Sequence, residues 1–212
     1  MTKYDRFKYM YPPRPEYVIS PDKLSEYEGT HAAQVKMNGS CCLIFIKGNE
    51  FRYFGRHENE NLRGFKLKIN DLSVLNCGNE DKWNVIVGEY MNKNKKGVNG
   101  KSWNHKFVIF DILVYNGEYL LGSTFEDRVK LLDSLFGTQD ENEYLYKVND
   151  NIYRVKTFYN NFLEEWNKII KVDMLEGFVL KKPNAKLERG LSERNNILWQ
   201  LKSRKETLNY KF

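Results

Sequence analysis

Lys36 stands first among the residues able to do covalent chemistry, because it opens the tetrapeptide Lys36-Met37-Asn38-Gly39. A lysine amine can attack the α-phosphate of a nucleotide only when it is uncharged, a state that burial and neighbouring cations promote. Gly39 has no β-carbon and so permits backbone to lie close to a ligand. A lysine before an Asn-Gly turn also arises by chance, so the tetrapeptide alone decides nothing. Its weight comes from an ordered series downstream. Tyr53-Phe54-Gly55-Arg56 is followed by Gly88-Glu89, then Phe110-Asp111-Ile112-Leu113, then Glu176-Gly177-Phe178-Val179-Leu180-Lys181, and finally Leu198 to Lys202.

These residues need strands to hold them, and the pattern supplies strands. Ala33-Gln34-Val35 leads into the lysine, and an apolar run from Cys41 to Ile46 follows. Gly48-Asn49 separates that run from Phe51 to Phe54, which predicts a hairpin. Val85-Ile86-Val87 reads as a short buried strand ending at Gly88-Glu89. A second hairpin is predicted from Phe107 to Tyr115, across Asn116-Gly117, to Glu118–Leu121. Further strands are expected at Phe178 to Lys181 and Ile197 to Leu201.

Two helices are predicted. One is opened by a capping box of Ser123 and Glu126, carries Phe125, Val129, Leu132 and Phe136, and stops at Gly137. The other starts near Asn161 with Phe162, Trp166, Ile169 and Ile170 on one face. Residues 1–30, with Pro12, Pro13, Pro15 and Pro21, read as an irregular N-terminal segment. Asn92 to Asn104, rich in Lys, Asn and Gly, reads as an exposed, mobile loop. The whole is expected to be one α+β domain, residues 1–212, of mostly antiparallel sheets flanked by helices.

The 212-residue chain can bury one sizeable core. Its net charge of +6 suits a polyanionic partner, although many basic proteins bind no nucleic acid. The odd count of three Cys argues against a disulfide scaffold and for a reducing compartment. The polar start has no apolar signal-peptide core, and no run approaches membrane-spanning length. A soluble cytoplasmic protein is expected.

In order and spacing, the series resembles the covalent nucleotidyltransferase superfamily of ATP-dependent DNA ligases, RNA ligases and mRNA-capping guanylyltransferases. The resemblance runs from Gln34 to Lys202 and is most specific from Phe107 to Phe136, where Phe-x-x-Phe-Asp-Ile-Leu, Asn-Gly-Glu and a Phe-Glu-Asp-Arg helix follow one another. It implies a ligase-type, ATP-grasp-like adenylation domain, ATP with Mg2+ or Mn2+, and a monomer that acts on 5′-phosphate and 3′-hydroxyl ends of DNA or RNA. By this resemblance Lys36 is the nucleophile that takes AMP. Gln34 offers its amide to the adenine edge, and Val35, Asn38 and Gly39 flank the nucleotide. Arg56 holds the ribose or the end phosphate, and Glu89 holds a ribose hydroxyl or the metal. Phe110 stacks on the purine, and Glu176 binds the metal. Lys181 and Lys202 neutralise phosphate charge.

Three positions depart from the family's pattern. Asn38 stands where most DNA ligases and capping enzymes carry Asp, Cys41 where an Arg is often found, and Gln200 in the first position of a Lys-x-Lys strand. Arg204 or Lys205 could compensate for the last. Such enzymes usually carry an appended OB domain, and none is expected within these 212 residues. Glu-Gly at 176–177 favours a ligase over a GTP-dependent capping enzyme. A degenerate domain that binds nucleic acid without forming an adduct is the non-enzymatic alternative.

Overall fold

The structure is a computed structural model that describes residues 17–55, 64–188 and 199–206. In chain order, β1 (Tyr17–Val18) and a 3-10 helix (Pro21–Tyr27) precede β2 (Ala32–Met37), β3 (Ser40–Lys47) and β4 (Glu50–Gly55). After α1 (Ile69–Leu72) come β5 (Asn84–Tyr90), β6 (Phe107–Tyr115), β7 (Glu118–Tyr119) and α2 (Phe125–Phe136). Then follow β8 (Leu145–Lys147), β9 (Ile152–Val155), β10 (Thr157–Phe158), α3 (Phe162–Ile169), β11 (Leu175–Lys181) and β12 (Gln200–Arg204).

The strands form two sheets. The first has the order β1-β12-β11-β2-β10; the second has the order β4-β3-β5-β6-β9-β8, with β7 also on β6. Pairing is antiparallel except between β1 and β12 and between β6 and β9. The expected α+β class with mostly antiparallel sheets is what the chain adopts.

Alternation along β2 sets the placement of the chemistry. Ala33, Val35 and Met37 enter a core with Phe178 and Leu180 of β11 and with Phe162, Trp166 and Ile169 of α3. Val108, Leu145, Tyr153 and Val155 of the second sheet share that core and so tie the two sheets together. Gln34 and Lys36 therefore lie on the other face of the first sheet. On the second sheet, Ile44, Ile46, Ile86, Ile109 and Ile112 pack against Leu132 and Phe136 of α2 and Leu72 of α1.

Both predicted hairpins form. The turn at Asn116-Gly117 has positive φ at both residues, 50° and 77°, as a primed turn requires. Other features differ from expectation. The cap of α2 is Thr124 with Asp127, one residue beyond the expected pair; Thr124 accepts from the Asp127 N–H, and the Asp127 carboxylate accepts from the Thr124 N–H. Both Ser123–Glu126 and Thr124–Asp127 have the right spacing, and the start of helical backbone chooses between them. Gly137 stops the helix as expected.

Ile170 is 39% exposed rather than on the packed face of α3, because the helix ends at Ile169. Strand β5 continues through Gly88-Glu89 to Tyr90. The 92–104 segment is anchored. Trp103 is buried with its ring tilted against that of Tyr153, and Asp173 accepts from both the Lys96 N–H and the Lys95 ammonium. Within residues 17–30 the chain forms β1 and the 3-10 helix, so that part of the N-terminal segment is regular.

Candidate active site

Register across three strands assembles the predicted residues. Gly177 of β11 sits opposite Lys36 of β2 on one side and Arg204 of β12 on the other. In the next row Val179 lies between Gln34 and Lys202, and in the third Lys181 lies between Ala32 and Gln200. Residues directly opposite in antiparallel strands share a face. Lys36, Gln34, Lys181, Gln200, Lys202 and Arg204 therefore share one face, although they span nearly the whole sequence. Val35 does not join them; its side chain is 4% exposed in the core behind.

Two bulges aim the remaining side chains. Pairing between β11 and β2 slips from Leu175–Met37 to Gly177–Lys36, leaving Glu176 as the extra residue. Pairing between β5 and β6 slips from Val87–Asp111 to Gly88–Ile109, leaving Phe110 as the extra residue. A bulge bends the strand and re-aims its side chain. Glu176 reaches Lys36, with Oε2 3.0 Å from Nζ, and the same oxygen lies 2.9 Å from Arg204 Nη2. The first bulge also needs Gly177. Its φ is 144°, and a β-carbon there would fall 2.0 Å from the Ser203 carbonyl oxygen.

Lys36, Met37, Asn38 and Gly39 carry the chain from the first sheet to the second. The Asn38 N–H donates to the Met174 carbonyl, and the Gly39 N–H donates to Glu89 Oε1 at 3.2 Å. A β-carbon on Gly39 would meet the Tyr90 carbonyl oxygen at 2.6 Å. Close packing against β5 thus demands glycine here without any ligand. Burial pushes the Glu89 carboxyl up to about 7; Lys36 opposes that rise, Glu176 adds to it, and the Gly39 N–H opposes it.

Deeper in the face, the buried Lys181 donates to Gln34 Oε1 at 2.8 Å and lies over the rings of Phe125 and Phe110, at 4.6 Å and 5.4 Å. Burial lowers its ammonium to about 8, with Asp111 opposing and Arg128 assisting the drop. Gln34 Nε2 donates to Thr157 Oγ1, so one N–H and one lone pair of that amide remain for a base edge. Arg56 lies outside the described residues.

Sequence reasoning passed over a pair that organises this region. Arg128 of α2, 1% exposed, grips Asp111 of β6 with Nε–Oδ1 at 2.7 Å and Nη2–Oδ2 at 3.2 Å. The Phe-Glu-Asp-Arg helix was the available signal, since its arginine falls one turn from the buried Phe125.

The donors fit the groups that the resemblance implies. Two carboxylates, Glu89 and Glu176, flank the amine, and no cluster of three metal-type ligands occurs among the described residues. Two carboxylates suit Mg2+, which keeps several waters and takes substrate phosphate oxygens. The Gln200 Nε2 is buried without a hydrogen-bond partner among the described residues, a donor left for a ligand.

A family model described as an ATP dependent DNA ligase domain matches residues 84–202, more than half of the chain. No curated protein matches the sequence. Among solved structures, the mycobacterial DNA ligase D complexed with ATP and MES matches with a TM-score of 0.64 and 16% identity, over 94% of this chain and 61% of that chain. The ligase domain of LigD from M. tuberculosis matches with a TM-score of 0.63 and 16% identity, over 94% of this chain and 60% of that one. At such identity the likeness establishes the fold, and this chain spans about three fifths of those chains.

Proposed function

This chain belongs to the ATP-dependent DNA ligase domain family, and from that premise we propose that it is the adenylation unit of a polynucleotide ligase with Lys36 as its nucleophile. The observation that carries the proposal is the contact of Lys36 Nζ with Glu176 Oε2 at 3.0 Å, on a face shared with Lys181, Lys202 and Arg204.

The reaction needs three transfers. Lys36 gives up a proton, and its nitrogen attacks the α-phosphorus of ATP; the bond to the β-phosphate oxygen breaks and pyrophosphate leaves. A nucleic-acid 5′-phosphate oxygen then attacks the same phosphorus, breaks the N–P bond and restores the amine. A 3′-hydroxyl finally attacks the 5′-phosphorus, joining the strands and releasing AMP. Glu176 is close enough to receive the first proton and to orient the amine. Lys181 and Lys202, which strand register puts on the same face as Lys36, would neutralise the phosphates. Gln34 has the amide capacity to read the base edge, and Phe110, whose ring lies beside Lys181, would stack on the base. A divalent cation held by Glu176 and Glu89 would neutralise phosphate charge. Arg56 is assigned its phosphate or ribose role from sequence position.

Intact mass after incubation with ATP and Mg2+ should show an added AMP, and Lys36→Ala should show none. An unchanged adduct in the variant removes Lys36 from its role. Sealing assays on paired DNA, RNA and hybrid nicks identify the strand type.

A further inference from the structure

The site described so far handles the nucleotide, and the longer polymer needs a grip of its own. Between β5 and β6 the segment Asn92 to Lys106 holds five of the chain's lysines (Lys93, Lys95, Lys96, Lys101 and Lys106) and no carboxylate. A charge run of this kind is ordinarily a solvated, disordered stretch. Here it is built. The Gly97 N–H donates to the Lys101 carbonyl, and the Trp103 N–H donates to the Lys95 carbonyl. Trp103 anchors the base of the loop with its ring centroid 5.0 Å from that of Tyr153. The Met174 N–H donates to the Lys96 carbonyl, and Asp173 takes the Lys96 N–H at 2.9 Å. Asp173 and Met174 lead directly into Leu175 and the bulged Glu176, so the loop is fastened beside the candidate nucleophile.

Two lysines of the run are engaged: Lys95 pairs with Asp173, and Lys106 donates to the Asp150 carbonyl and to Asn151. Lys93, Lys96 and Lys101 are exposed and make no ion pair among the described residues. The loop has two aromatic rings: Trp103 is buried, and the half-buried His105 is held through Nδ1 by the Tyr90 hydroxyl. Single-strand binders stack bases on exposed rings, and this loop offers none. Its recognition chemistry is therefore charge on phosphate.

We infer that the loop 92–106 is a docking surface for the phosphate backbone of duplex nucleic acid beside the end to be sealed, contacted by Lys93, Lys96 and Lys101. The inference rests on the ligase reading for its choice of partner, but its test does not require ligation. The full chain is titrated with a fluorescent nicked DNA duplex at several salt concentrations, alongside the variant Lys93→Gln/Lys96→Gln/Lys101→Gln. A control variant, Lys23→Gln/Lys82→Gln/Lys130→Gln, makes the same charge change elsewhere.

Each lost phosphate contact lowers the slope of log K against log salt by about 0.9, so the loop variant should lose about 2.7 in slope and bind about tenfold more weakly. The control should keep the parent slope, and AMP loading of Lys36, read by intact mass, should be the same in all three proteins. An unchanged slope in the loop variant, or an equal loss in the control, overturns the surface. A preference of the loop for single strands over the duplex, lost in the variant, overturns the choice of partner. Absence of the AMP adduct from the parent chain sinks the ligase reading, and the salt slopes still decide the loop.

Discussion

If Lys36 is the nucleophile, Glu176 has to serve it in two charge states. As an ammonium, Lys36 shares Oε2 with Arg204; in the proposed reaction its nitrogen would bond phosphorus, and that cation would be gone. A largely buried carboxylate left alone is costly, and Arg204 is placed to prevent it. Lys181 faces the converse problem, since it is a cation held where burial lowers its ammonium to about 8 from 10.5. In the unfolded chain it stays protonated to higher pH. Below about 8 both states carry the proton, and burying it costs the fold stability. As pH rises from about 8 toward 10.5 the native state releases its proton first, and that cost is relieved. Comparison with Lys181→Met by urea unfolding isolates the effect. The stability of the parent chain relative to the variant should rise by about 2 kcal/mol between roughly pH 7.5 and 9.5. A difference independent of pH would mean that the amine is not burdened by burial.

The elements show which interactions position these side chains and which of them sequence could reveal. Burial alone would raise the Asp111 carboxyl, yet Arg128 beside it, with help from Lys181, holds it below the usual range. The pair fixes α2 to β6, next to Phe110. Breaking it should leave an uncompensated buried charge, so Arg128→Met is expected to cost about 3–5 kcal/mol in urea unfolding. Asp111→Leu/Arg128→Met should recover most of that loss, because an apolar pair of similar volume needs no counter-charge. A double variant as unstable as the single one would show that geometry, and not charge, is what matters. Sequence made β2, β3, β5, β6 and β11 legible through apolar runs bounded by Gly and Asn. It did not reveal β8 to β10, where Leu145–Lys147, Ile152–Val155 and Thr157–Phe158 are too short and mixed to show a period. The order of motifs located Lys36, Glu176 and Lys181. Spacing cannot show which residue a strand will bulge, so the aim of Glu176 and Phe110 came only with the register.

At the scale of the molecule, the candidate site belongs to neither sheet alone. Lys36, Lys181 and Gln34 stand on the first sheet, and Glu89 and Phe110 on the second. A nucleotide that touched all of them would tie the sheets together in addition to the shared core. Binding to the native state alone stabilises by about 2.7 kcal/mol at a hundred times Kd. For a domain of this size that corresponds to a rise in Tm of about 5–10 °C. ATP with Mg2+ should produce such a rise, and GTP should produce little if Gln34 and Phe110 select adenine. Lys36→Ala should keep most of the ATP shift while forming no adduct, because in the proposed site the base and phosphates are held by other residues. A shift with GTP and none with ATP would reverse the base assignment. If Lys36→Ala lost the shift entirely, the affinity would reside in the covalent bond, and the two sheets would gain their coupling only after the amine had reacted.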